Sequence, residues 1–212
     1  MGALLREVKK LQKQPISKLV KQRLSEFSSF KNKPSEEWFS ELCFCLLTAN
    51  SKAQTACNIQ AELGAKGFLT LSHQDLVACI RRNKHRFHNI KAGYIVNVRP
   101  HIKIKEIITT IAEKEGVIAA REWLVKNIKG YGYKESSHFL RNVGYFDVSI
   151  LDRHILNLMK ENGIIRQRPP SLNQKNYLKF EKKFLELSKK AKMLPAELDM
   201  YMWYMKAGDV LK

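Results

Sequence analysis

Two glycines, a lysine and an aspartate are the residues of this chain whose types and spacing could do chemistry. Gly130 and Gly132 stand in Ile128-Lys-Gly130-Tyr-Gly132-Tyr-Lys134. Asp152 follows Lys134 by 152 − 134 = 18 residues, in Val148-Ser-Ile-Leu-Asp152-Arg153-His154. The elements that must position them are legible from apolar spacing. Trp123, Leu124 and Ile128 form one helical stripe and Phe139, Leu140 and Val143 a second, so 123–144 reads as helix, tight turn, helix. Glycines admit backbone angles closed to other residues and let the chain lie against something flat. Free N–H groups at the start of the second helix favour an anion, and a duplex phosphate fits without any base contact. The alternative is an ordinary helix–helix turn. Lys134 falls in the first turn of the second helix. The 18-residue separation suits a helix, a short loop and the start of a third helix, for which Asp152 is the N-cap.

Together these residues resemble the helix-hairpin-helix DNA glycosylases, whose hairpin reads like Leu-Pro-Gly-Val-Gly-Xaa-Lys and is followed by a Val-Asp-Xaa-His segment. Lys129 stands where relatives often carry proline, a change the turn should tolerate. The resemblance implies that Lys134 is the amine nucleophile of a bifunctional member and Asp152 its catalytic aspartate, with Arg153 and His154 beside the DNA. A lysine nucleophile must be neutral, and free lysine titrates near ~10.4. Burial in a cleft, repulsion by Arg153 and the positive end of a helix would each lower that value. The amine would join the sugar C1′ as a Schiff base, so that the base leaves and the 3′ phosphate can be eliminated. Asp152 would orient or deprotonate the amine and stabilise the developing oxocarbenium charge.

Within that superfamily, the tail Met202-Trp203-Tyr204-Met-Lys-Ala-Gly-Asp-Val-Leu-Lys212 is similar to that of the small archaeal-type 8-oxoguanine DNA glycosylases with AP-lyase activity. In that group the chain ends at a lysine whose segment enters the base pocket, and a tryptophan nine residues earlier shapes the same pocket. Trp203 and Lys212 match both positions (212 − 9 = 203). The resemblance implies that the Lys212 carboxylate accepts the N7 proton that 8-oxoguanine has and guanine lacks, and one buried acceptor can reject an analogue lacking the donor. A frayed terminus without function is the alternative. A same-superfamily glycosylase for oxidised pyrimidines and a non-catalytic helix-hairpin-helix binding module are the rival readings of the whole chain. The second of these leaves Lys134 with Asp152 as coincidence.

Two further segments belong to the same picture. In Leu46-Leu47-Thr48-Ala49-Asn50-Ser51-Lys52, polar residues interrupt an apolar run and restart a helix. The resembled family has an amide residue here that reaches into the space left by the extruded base, which makes Asn50, Ser51 and Lys52 DNA-contact candidates. An asparagine capping a helix is the simpler reading. Arg81-Arg-Asn-Lys-His-Arg86-Phe87-His88-Asn89-Ile90-Lys91-Ala92 is the densest basic cluster, with one aromatic at its tip. A basic loop bearing an apolar wedge is how base-flipping enzymes hold phosphates and fill a vacated stack, so Arg86 and Phe87 are candidates for those roles. Otherwise Phe87 is a core residue of the helix carrying Tyr94, Ile95 and Val98.

Composition sets the frame. The 212 residues carry a net charge of +18, which points to a polyanionic partner, nucleic acid first, unless it is only a solvated basic surface. No apolar run approaches membrane-spanning length and no signal-peptide core is evident, so an intracellular, cytoplasmic or nucleoid-associated protein is expected, and separately a monomer. Cys43, Cys45, Cys57 and Cys79 lack zinc spacing, and the expectation is reduced thiols with no iron–sulfur cluster, no metal site and no disulfide. The hairpin carbonyls could hold a monovalent cation. Nothing reads as a sheet. The expected fold is all-α, two helical lobes around a DNA-binding cleft: residues 30–143 ending in the hairpin, and residues 1–29 with 144–212. Ser35 should cap a helix, Gly64 should end one, and Ser72 with Asp75 should form a capping box.

Overall fold

The computed structural model describes residues 1–212. Its regular elements are all helical: α1 (Gly2–Leu11), α2 (Ile16–Ser29), α3 (Ser35–Thr48), α4 (Ala53–Thr70), α5 (His73–Arg82), α6 (His88–Val98), α7 (Ile104–Glu115), α8 (Val117–Asn127), α9 (Tyr133–Asn142), α10 (Arg153–Glu161), α11 (Gln174–Ala191) and α12 (Pro195–Ala207), with 3₁₀ turns at Phe30–Asn32 and Arg99–His101. Helix-breaking residues fall where the chain turns. Pro15 separates α1 from α2, and Gly208, left-handed at φ +74°, ends α12.

Two local expectations need correction, and the one at Gly64 holds. Ser35 is the first residue of α3 rather than its cap, because its hydroxyl is engaged elsewhere, reaching Ile102 O ahead of α7 at 2.7 Å and Glu106 Oε2 within α7 at 3.0 Å. Gly64, non-helical at φ +58° and ψ −175°, does end the first helix of the α4 span, and a second follows directly and buries Phe68. Ser72 does accept Asp75 N–H at 3.1 Å, but its hydroxyl donates to Asp75 Oδ2 at 2.7 Å. Aspartate, one methylene shorter than glutamate, is held on the serine side chain instead of reaching back to the backbone.

The apolar stripes collect into two cores. Trp38, Phe39, Leu42, Phe44, Ile59, Ile80, Ile95, Ile108, Leu124 and Phe139 fill the first. The second is built from Val8, Val20 and Phe27 near the start of the chain and Leu151, Ile155, Met159, Tyr177, Phe184, Leu198 and Tyr201 after the hairpin. Helix α3 is the axle of the first core, buried on every side from Trp38 to Thr48. Helix α9 joins the two cores, giving Phe139 and Leu140 to the first, while Tyr133 joins the second. A buried ion pair crosses the same junction: Arg121 of α8 donates to both oxygens of Glu181 of α11, at 2.5 and 2.9 Å. Cys43 and Cys45 are buried free thiols, and burial pushes both well above the ordinary thiol range, which leaves them protonated and unreactive.

Candidate active site

Between the cores lies a cavity of about 600 Å³. Opening onto it are the α3–α4 joint, Arg86 of the α5–α6 connection, one face of α9, the start of α10, Leu172 ahead of α11, α12, and the segment after Gly208. Of the residues singled out from the sequence, Asn50, Ser51, Lys52, Arg86, Lys134, Asp152, Arg153, His154, Trp203 and Lys212 all line it. Residues spread over more than 160 positions of sequence thus meet at one place.

Lys134 is the second residue of α9, where the helix amino terminus points positive partial charge at the cavity. Its ammonium lies 3.4 Å from Glu135 Oε1. The other oxygen of Glu135 accepts the N–H of Gly132 at 3.2 Å, so one carboxylate caps the helix and orients the lysine. Asp152 opens α10 as its N-cap, accepting Ile155 N–H on Oδ1 at 2.8 Å, which leaves its other oxygen for the cavity.

The hairpin glycines differ. Gly130 has φ +97°, and a Cβ there would lie 2.5 Å from the Tyr94 ring, so both its torsion and its neighbour require glycine. Gly132 has φ −111° and ψ −169°, extended backbone that other residues adopt, and a Cβ would meet only Glu135 Oε2 at 3.4 Å. Its expected conformational freedom is therefore not used. Neither glycine lines the cavity, because the turn is filled from within by Tyr94 and Leu46.

Asn50 projects from the α3–α4 joint, exposed, in the left-handed conformation at φ +60° that asparagine tolerates. The carbonyls beneath it are held from the basic segment: His85 Nε2 meets Leu47 O at 2.9 Å and the Lys91 ammonium donates to Leu46 O at 2.6 Å. Burial pushes Lys91 down to about 8. Phe87 belongs to neither core and is not part of the cavity wall; half-buried, it packs under the Arg86 guanidinium at 4.4 Å. That placement removes the core alternative for Phe87.

On the opposite wall, His154 and Trp203 meet edge to face with ring centroids 4.9 Å apart. Lys212 turns inward: its ammonium donates to Glu41 Oε2 at 2.6 Å and Gln60 Oε1 at 2.7 Å, and lies 4.4 Å from the centre of the Phe44 ring. Sequence reasoning missed four polar residues around these. His138 is buried, with no partner for either ring nitrogen, and burial holds it well below the usual histidine range, helped by Arg141, Lys134 and Lys212. It follows Lys134 by four residues, so helical spacing alone would have placed it on the same face. Arg141 lies 3.4 Å from Asp199, and burial outweighs the ion pair for both, pushing Asp199 up to about 7 and Arg141 down. Glu41, fully buried inside an apolar run, carried its signal as a lone carboxylate on a core helix. No group of three His, Cys, Asp or Glu side chains is arranged to hold a metal ion.

Residues 20–193 match the family described as 8-oxoguanine DNA glycosylase. The chain is 46% identical over 209 residues to the 8-oxoguanine DNA glycosylase/AP lyase of Methanocaldococcus jannaschii, covering 99% of each, and 41% identical over 210 residues to that of Korarchaeum cryptofilum, covering 99% of this chain and 98% of the relative. Its fold superposes with a TM-score of 0.95, at 45% identity, on a crystal structure of the Methanocaldococcus jannaschii 8-oxoguanine glycosylase/lyase bound to a 15mer DNA containing 8-oxoguanine. That match covers 99% of this chain and 100% of the other.

Proposed function

The chain belongs to the 8-oxoguanine DNA glycosylase family, and from that premise we propose that Lys134 and Asp152 carry its chemistry. The protein is a DNA repair enzyme that removes 8-oxoguanine from duplex DNA and then cleaves the strand as an AP lyase. The observation that carries the residue assignment is the meeting of two helix amino termini on one cavity, Lys134 at the start of α9 and Asp152 at the start of α10.

In this reading the Lys134 amine, once deprotonated, bonds to the sugar C1′ as the N-glycosidic bond breaks and its electron pair leaves with the base. Asp152, ionised, stabilises the positive charge on the sugar ring and takes the proton shed by the amine. Ring opening gives a Schiff base between Lys134 and C1′. Loss of a C2′ proton then expels the 3′ phosphate, and water returns the lysine. Nothing in the sequence of steps requires a metal or a redox cofactor. A monovalent cation would play a positional part only, on the hairpin carbonyls of Lys129 and Gly130, which accept no backbone hydrogen bond within the chain.

Around this centre, Asn50 and Ser51 would enter the gap left by the extruded nucleotide, Phe87 would wedge the stack, and Lys52, Arg86, Arg153 and His154 would hold phosphates. Gly130 would serve the hairpin's approach to the backbone of the duplex by keeping the turn tight, and Gly132 by offering its helix-start geometry. Trp203 and Lys212 would bound the base. The two lobes are taken as 30–143 and 1–29 with 144–212, acting as a monomer. A repair enzyme of this kind belongs in the cytoplasm, and we place it on the nucleoid, where its +18 charge favours non-specific DNA.

The test is a duplex with one 8-oxoguanine, incubated with wild type and Lys134→Gln under borohydride. Wild type should form a covalent adduct and the variant none. An adduct with Lys134→Gln would move the nucleophile elsewhere. Tight binding without adduct from either protein would support a binding module instead.

A further inference from the structure

We propose that Glu41 is a positioning residue for base recognition: it seats the Lys212 ammonium and thereby holds residues 208–212 as a wall of the base cavity. The argument starts from cost. A carboxylate with no exposed surface, inside the apolar core around α3, is strongly disfavoured unless charge and hydrogen bonds compensate it. Glu41 has both. Oε2 takes the Lys212 ammonium at 2.6 Å and the Gln60 amide at 3.2 Å, and Oε1 takes the Asn142 amide at 2.6 Å.

The segment that Lys212 ends has no helix or strand of its own after Ala207. Its place is set by three attachments: the left-handed turn at Gly208, Val210 buried in the second core with its carbonyl accepting from Arg23 at 3.3 Å, and Lys212 on Glu41 and Gln60. Only the third reaches across the cavity to α3 and α4. Val210 and Lys212 both line the cavity, whereas Glu41 does not touch it. Glu41 therefore acts on a bound base only through Lys212. Asn142 extends the same chain of bonds through Arg141 Nε at 2.7 Å to Asp199 in the opposite wall, so Glu41 fixes the tail relative to the hairpin helix as well.

The inference rests on the base-excision reading, and the experiment separates the two. Excision of 8-oxoguanine is compared with cleavage of a preformed abasic site, which has no base for the wall to hold, in wild type, Glu41→Gln, Lys212→Met and the double variant. Glu41→Gln should lower kcat/KM for 8-oxoguanine by ~10-fold or more while abasic cleavage stays within about twofold. The double variant should excise no more slowly than the worse single variant, because the two residues act as one unit. Should Glu41→Gln not fold, Gln60→Leu removes the second acceptor of the same ammonium, and a loss of about threefold confined to excision is expected. Parallel losses in both reactions, unchanged excision, or additive effects would overturn the role of Glu41. A wild type that leaves 8-oxoguanine in place would overturn the functional reading instead.

Discussion

Asp152 caps α10 and faces the cavity, and substitution separates the two roles. Asparagine caps as well as aspartate, so Asp152→Asn should keep the melting temperature near that of wild type while single-turnover excision falls by ~100-fold or more. Asp152→Ala should lose the same activity and about 1 kcal/mol of stability besides. Asp199 gives a pH signature. Burial pushes it from 3.8 up to about 7, so the folded state favours its protonated form. Its contribution to stability is fully present below the unfolded pKa and is lost as pH rises through about 7. Calorimetry across roughly pH 4 to 8 should show the wild-type melting temperature falling relative to Asp199→Asn, with the two curves parallel above that window. The helix starts that carry Lys134 and Asp152 were legible in the sequence because each is a local signal. Arg141 and Asp199, 58 residues apart, and Glu41 and Asn142, 101 apart, carry no local signal, since what pairs them is packing.

At the scale of elements, apolar periodicity and breaker residues were enough to place the helices, including the break at Pro15 and the stop at Gly208. Local caps were read less well. Ser35 turned to partners 67 and 71 residues away that a single helix cannot reveal, Asp75 stayed on the side chain of its own cap Ser72, and Glu135 took over the capping of α9 at the hairpin. The two hairpin glycines, alike in sequence, differ in what they tolerate. Gly130→Ala forces both a positive φ and a collision with Tyr94, and should cost about 2 kcal/mol or more in denaturant unfolding. Gly132→Ala, in extended backbone with only an ordinary 3.4 Å contact to Glu135 Oε2, should cost less than about 1 kcal/mol.

At the scale of the molecule, the charge announced a polyanion and the missing strand signals announced an all-helical chain, but nothing announced how the two cores would be tied. That tie is polar. Arg121 and Glu181 are buried from opposite sides of the junction, and Glu181→Ala would leave the guanidinium buried and unpaired. The expected loss is ~3–5 kcal/mol, read as a lower denaturant midpoint. With Arg121 on Glu181 and Arg141 on Asp199, the jaws on either side of the cavity are joined at their root by buried ion pairs. The consequence falls on the partner. A cleft of fixed gape cannot close around a straight duplex, so the bending must be done by the DNA. A site where stacking is already weak yields at lower elastic cost than intact sequence. Part of the search for damage is then a test of compliance, in which the enzyme is the anvil and the helix it scans is the spring.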